Sequence, residues 1–169
     1  DDVTNTSTAP TPLTHELRPI HERLIRASMA LRGIRPSFEE FAAVAEDETA
    51  LGSLIDDWTT EEFFGRTIRD MHAEQLKFRS DLFDDLPPPI GALRTTDRYA
   101  IIEAFYESPL VLVEDIVLSG QPYSDIVTSE TLRVNAVGAG LWGAPYDPSG
   151  PEWQAYTPTD GRPSWGILS

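Results

Sequence analysis

The chain has 169 residues, 40% of them hydrophobic, and a formal charge of −15 from 13 Lys and Arg against 28 Asp and Glu. That length and apolar content support one domain with a real core, and that charge repels nucleic acid and anionic membranes while favouring cations and basic partners. The absence of cysteine excludes disulfides, thiolate catalysis, Cys-zinc sites and covalent c-type haem attachment within this chain, and no run approaches the roughly 18 apolar residues of a membrane span.

The pattern predicts a mainly α fold: a multi-helix domain over residues 15–169 with an irregular, aromatic-rich C-terminal segment, preceded by a disordered or extended spacer at 1–14. The spacer is rich in Thr, Ser, Pro and Asp, as expected after a removed signal or a lipid-anchored cysteine. It points to an extracytoplasmic protein, in the periplasm, at the outer membrane or secreted, and a lipid anchor is compatible with it. At the other end Ser164–Ser169 is apolar and stops without a polar tail, which suggests one piece of a longer polypeptide.

Between these ends a first helix is expected over His15–Arg32, its regular part starting near Pro19, with Ile20, Leu24, Ala27 and Leu31 on one face. Gly33 suits the left-handed helix stop, Pro36 prevents resumption, and Ser37 with Glu40 has capping-box spacing for a second helix over Phe38–Ala45. A third helix from Asp47 or Glu48 runs to Trp58. Thr59 and Glu62 again have capping-box spacing, opening a fourth over Glu61–Arg79 with a stripe of Phe64, Ile68, Met71, Gln75 and Phe78. Asp84–Pro89 reads as a rigid polyproline loop. A fifth helix follows Asp97, and Ser108-Pro109 reads as the start of a separate sixth helix, apolar nearly all round and central to the core. Gly120 ends it. A short turn or helix at Tyr123–Val127, a segment capped by Asn135, and short strands at Thr131–Val134 or Gly166–Leu168 complete the reading. Beyond Gly143 the chain reads as loop, with a turn at Asp147–Gly150.

Few side chains point to chemistry. His72 lies four residues from both Ile68 and Leu76, where a histidine serves as a hydrogen-bonded core residue, as a ligand to a metal or to a haem iron from another segment, or as a catalytic group. His15 and His21 are spaced six apart, unlike a helical metal pair. Asp56, Asp57, Glu61 and Glu62 flank Trp58. Acids there cap and solvate a helix start, offer hard oxygen ligands to calcium, or run acid–base chemistry as paired carboxylates. Asp81, Asp84 and Asp85 are equally ambiguous. No Gly-x-Ser-x-Gly element supports a serine nucleophile, and Gly138-Ala139-Gly140 reads as a close-packing site. Trp142, Trp153, Tyr156 and Trp165 concentrate aromatic surface in the tail, suited to a partner or a carbohydrate face.

The stretch Arg26-Ala27-Ser28-Met29-Ala30-Leu31-Arg32-Gly33-Ile34-Arg35-Pro36-Ser37-Phe38-Glu39-Glu40 resembles the R-x-S-L-x-L-x-G-x-x-P-x-x-E-E signature of helical extracytoplasmic, cytochrome-associated proteins of planctomycetes and myxobacteria, whose function is largely unknown. Glu61–Arg66 resembles the segment that follows. Ser108–Leu110, Gln121–Thr128, Val134-Asn135 and Leu141–Gly143 resemble the family's second conserved region, and Gly161-Arg162 with Gly166–Ser169 its R-x-G-I-L element. The resemblance covers most of residues 20–169. It implies a longer polypeptide that often continues to a Cys-x-x-Cys-His haem attachment, a segment not in this sequence.

The expectation is therefore a structural or interaction module of a larger extracytoplasmic assembly, which by resemblance carries c-type haem. Its partners would be the remaining segment of the same polypeptide or other subunits. The competing classes are the non-catalytic portion of an oxidoreductase or hydrolase, and a calcium- or glycan-binding module.

Overall fold

Gly33 (φ 69°) ends the first helix in the left-handed region, and Ser37 restarts the chain four residues later with a complete capping box to Glu40. This corner sets α1 (Ile20–Arg32) against α2 (Phe38–Glu46), and α3 (Ala50–Trp58) closes a three-helix layer on both. The computed structural model describes residues 17–79, 89, 91–161, 164 and 166–168. The spacer at 1–14, His15, the acids Asp81, Asp84 and Asp85, most of the polyproline loop, and Trp165 lie outside the described residues.

α4 (Glu62–Leu76) links this layer to the second half of the molecule, packing on α1 on one side and on α5 (Arg98–Leu118) on the other. Then come α6 (Asp125–Thr128), β1 (Leu132–Val134), α7 (Ala136–Trp142) and β2 (Gln154–Tyr156). The two strands pair antiparallel with Arg133 opposite Ala155. The fold of the described residues is thus mainly α, with seven helices and one two-stranded sheet.

Two apolar clusters hold it together. Leu24, Val44, Leu51 and Trp58 form the first, inside α1–α3, and Leu112, Val113, Ile116 and Ile126 form the second, around α5 and α6. Burying each such side chain contributes about 1.5–3 kcal/mol before the cost of ordering it.

The structure corrects four local expectations. Ser108-Pro109 does not start a new helix; α5 runs through Pro109, and Ser108 Oγ instead donates to the carbonyl of Arg133 in β1. Burial on both sides of the proline, at Ile101 and Ala104 before it and Leu110–Val113 after it, offsets the ~3 kcal/mol that an interior proline costs. The stripe expected on α4 is rotated: Met71 is 45% exposed, while Gly65, His72 and Ala73 are buried. Small residues face inward there because α4 has close neighbours on two sides. Thr59 makes no capping box with Glu62, since its hydroxyl donates back to the Asp56 carbonyl and Glu61 takes the N-cap position. Gly166–Leu168 forms a 3-10 turn rather than a strand, with Gly166 N–H donating to the Ser129 carbonyl at 2.7 Å.

Candidate functional site

The corner residues converge on a buried arginine. Arg32, from the last turn of α1, lies with its guanidinium 4.1 Å from the Trp58 ring centroid, a cation–π distance. It donates to Ser28 Oγ at 2.9 Å and to Glu40 Oε2 at 3.0 Å, and sits 3.4 Å from Glu61. Glu40 also accepts from Trp58 Nε1 at 2.7 Å and from the Ser37 N–H at 2.7 Å. Burial alone would push the Glu40 carboxyl up. The donors Arg32, Ser37 and Trp58, with the Arg32 charge, outweigh it and hold the carboxyl below its ordinary value. Ser28 donates onward to the Ile34 carbonyl at 2.7 Å, tying the helix stop to the hub. Ser28, Arg32, Ser37, Glu40 and Trp58 therefore build a hydrogen-bonded joint, and that joint sets the exposed side of the corner.

On that side Phe38, first residue of α2, is 92% exposed. Its helix commits Phe41 and Val44 to the core and Ser37 to the cap, so Phe38 is left facing solvent. With Ile25, Pro36 and Phe41 it lines a groove of about 380 Å3, edged by Arg35 and Glu39. Met29 and Ile34, on the neighbouring turns, are also exposed. Sequence reading did not single out Phe38 as a contact residue. The available signal was an aromatic at the first position of a capped helix whose apolar face was already supplied by Phe41 and Val44.

His72, Glu61 and Glu62 are engaged within the chain, whereas the Asp56 and Asp57 side chains are exposed. His72 is 3% exposed, with Nδ1 2.7 Å from the Ile68 carbonyl and Nε2 2.7 Å from Tyr123 Oη. A carbonyl only accepts, so Nδ1 carries the proton and Tyr123 donates to Nε2. Axial ligation by Nε2 would require Tyr123 to leave. Glu61 turns to Arg32, whereas Glu62 pairs with Arg66 one turn along α4. Asp56 and Asp57 lie exposed at the end of α3, and their backbone carbonyls accept the Thr59 and Thr60 hydroxyls. Among the described residues no group of three or more His, Asp or Glu side chains is arranged to hold a metal.

A second charged seam, missed in the sequence, lies between α4 and α5. Arg69 Nε is 2.8 Å from Glu114 and its Nη1 3.7 Å from Glu107, which also accepts from Arg79 Nε at 2.6 Å. Glu107 and Glu114 are seven apart on α5, two turns on one face, a spacing legible only once α5 is known to pass through Pro109. Burial raises the Glu114 carboxyl above its ordinary value; Arg69 opposes the shift, and the neighbouring acids Asp115, Glu62 and Glu107 reinforce it. Burial likewise raises Asp115, against the attraction of Arg133 and Arg69.

Among the described residues the tail aromatics form no cluster. Trp142 meets Phe105 edge-on at 6.4 Å, Trp153 is half-buried in the turn before β2, and Tyr156 pairs through its backbone with Leu132. Comparison with family models, curated proteins and solved structures returns no match for this chain.

Proposed function

We propose that the chain is an interaction module that docks a partner polypeptide on the groove beside Phe38, within a larger extracytoplasmic assembly. The observation that carries this reading is the near-complete exposure of Phe38 above a groove walled by Pro36 and Phe41. A rigid aromatic of this kind, beside a pocket and fixed by a buried joint, is how interfaces present an anchor. The occupant is a basic segment bringing an apolar side chain, because a chain of charge −15 attracts cations and repels acidic surfaces. The extracytoplasmic setting rests on the Thr-, Ser- and Pro-rich start of the sequence. The association with c-type haem rests on the resemblance of Arg26–Glu40, with the haem supplied from outside this chain.

Purification of the tagged chain from its native source, at low and at high salt, tests the reading with Phe38→Ser as the comparison. The expected result is a stoichiometric basic polypeptide held by the wild type at low salt, weakened at high salt, and lost from F38S at unchanged Tm. Equal retention by F38S, or a native mass of 18.8 kDa with no second polypeptide, refutes it. A haem absorbance in that complex that survives His72→Ala removes His72 as its axial ligand.

A further inference from the structure

A separate cleft lies on the far half of the molecule, between the end of α5 and the segment entering β1. Its polar lining is Asp115, Ser119, Gln121, Ser129, Thr131 and Arg133, and its volume is about 300 Å3. Leu112 and Ile116, both buried, supply the apolar floor. The walls are fixed: Ser108 anchors the Arg133 carbonyl to α5, and the Gln121 N–H bonds the Ile116 carbonyl at 3.0 Å. The Thr131 and Thr157 hydroxyls meet at 3.2 Å.

The groups left to a ligand are of mixed type. Arg133 Nε sits 2.5 Å from Asp115 Oδ2 in an ionic contact and is itself buried without a hydrogen bond, so the quarter-exposed side chain meets the cleft through its other guanidinium atoms. The Gln121 carboxamide makes no hydrogen bond among the described residues, and it can both donate and accept. The Ser119 hydroxyl donates to the Asp115 carbonyl, and Ser129 Oγ is bonded to the Thr131 backbone. Their remaining lone pairs can accept. The carboxylate and guanidinium cancel, so the cleft is close to neutral inside a strongly acidic chain. A free anion would meet Asp115 and the long-range field of the protein, and a cation would meet Arg133. A neutral ligand whose hydroxyls each donate and accept satisfies both at once: one hydroxyl of a vicinal diol accepts from the guanidinium while its neighbour donates to the carboxylate.

We infer that this cleft binds a neutral polyhydroxylated ligand, a sugar residue, between Asp115, Arg133 and Gln121. The site is independent of the groove at Phe38, and loss of a partner through F38S leaves it intact.

The test is an NMR titration of the full chain with methyl glucoside, methyl galactoside and N-acetylglucosamine, and separately with acetate and inorganic phosphate. At least one sugar should give saturable shifts at Gln121, Thr131 and Arg133, while acetate and phosphate give none there. Gln121→Ala removes an exposed side chain with no hydrogen-bond partner among the described residues, so it should keep the wild-type Tm and weaken binding by about three- to tenfold. Asp115→Asn should weaken it further. Saturation of the cleft by acetate or phosphate overturns the inference, as does a silent cleft with all three sugars, binding confined to the tail aromatics, or wild-type affinity in Q121A.

Discussion

Gly65 tests the charged seam more sharply than any of the charges themselves. A methyl added there would lie 2.1 Å from Glu114 Oε1, 2.9 Å from its Cδ and 3.1 Å from its Cγ. The carboxyl occupies the notch that the missing side chain leaves, so Gly65→Ala must push Glu114 out and away from Arg69. Two effects compete. Ala in place of Gly inside a helix gains about 1 kcal/mol in propensity. Overpacking costs about 1–3 kcal/mol, and separating a part-buried charge-assisted contact costs about 1.5–3 kcal/mol. The losses win, and the net destabilisation should be about 2 kcal/mol, a fall in Tm of roughly 4–8 °C for a chain of this length. The sign should reverse once the obstacle is gone: in an E114A background the same substitution keeps only the propensity gain and should stabilise by about 1 kcal/mol. Thermal unfolding of the four proteins of this cycle gives the coupling directly, about 3 kcal/mol by these figures. Equal effects of Gly65→Ala in the two backgrounds would refute the notch.

Three further outcomes follow from the same geometry. Glu114, raised by burial, binds its proton more tightly in the folded chain, so its contribution to stability falls as pH rises from the unfolded carboxylate value through the raised folded one; relative to wild type, Glu114→Gln should therefore lose stability on acidification into the carboxylate range, and parallel Tm–pH curves for the two proteins would remove Glu114 as a contributor. Tyr123→Phe leaves His72 Nε2 without its donor and should cost about 1–2 kcal/mol in chemical denaturation, against a near-neutral Tyr99→Phe control at an exposed ring. Gly166→Ala would place a methyl 2.0 Å from the Ile126 carbonyl oxygen at φ 58°, and because backbone cannot swing aside, hydrogen exchange should show the 3-10 turn released from α6, whereas Gly161→Ala, which carries the left-handed strain at φ 84° but meets no neighbouring atom, should leave that turn in place.

What could be read from the sequence was what is encoded within one or two helical turns. Gly33, Ser37 and Glu40 announce their stop and cap through local backbone chemistry, and Asn135 does the same by accepting from the Gly138 N–H. The failures share a cause in tertiary packing. Pro109 locally argues for a helix start, but burial along α5 on both sides of it decides otherwise. Large apolar residues mark one stripe on α4, whereas a helix pressed between two others turns Gly65 and Ala73 inward so that the backbones can approach. Partners distant in sequence, such as His72 with Tyr123 or Trp58 with Glu40, leave no local trace.

The same distribution explains why so acidic a chain folds and what it then presents. Among the described residues the arginines at 18, 23, 32, 66, 69, 79 and 133 are spent in ion pairs within the chain, and Arg32, Arg69 and Arg133 are the least exposed of these. The pairs at the surface are worth little each. The inner ones fix geometry, because a buried carboxylate or guanidinium tolerates few arrangements that keep its partner. With 28 acids against 13 Lys and Arg, and with Arg32, Arg69 and Arg133 turned inward, the exposed field is negative. Phe38 stands out of that field beside an apolar groove, and a partner that brings an apolar anchor among basic residues gains from both features at once.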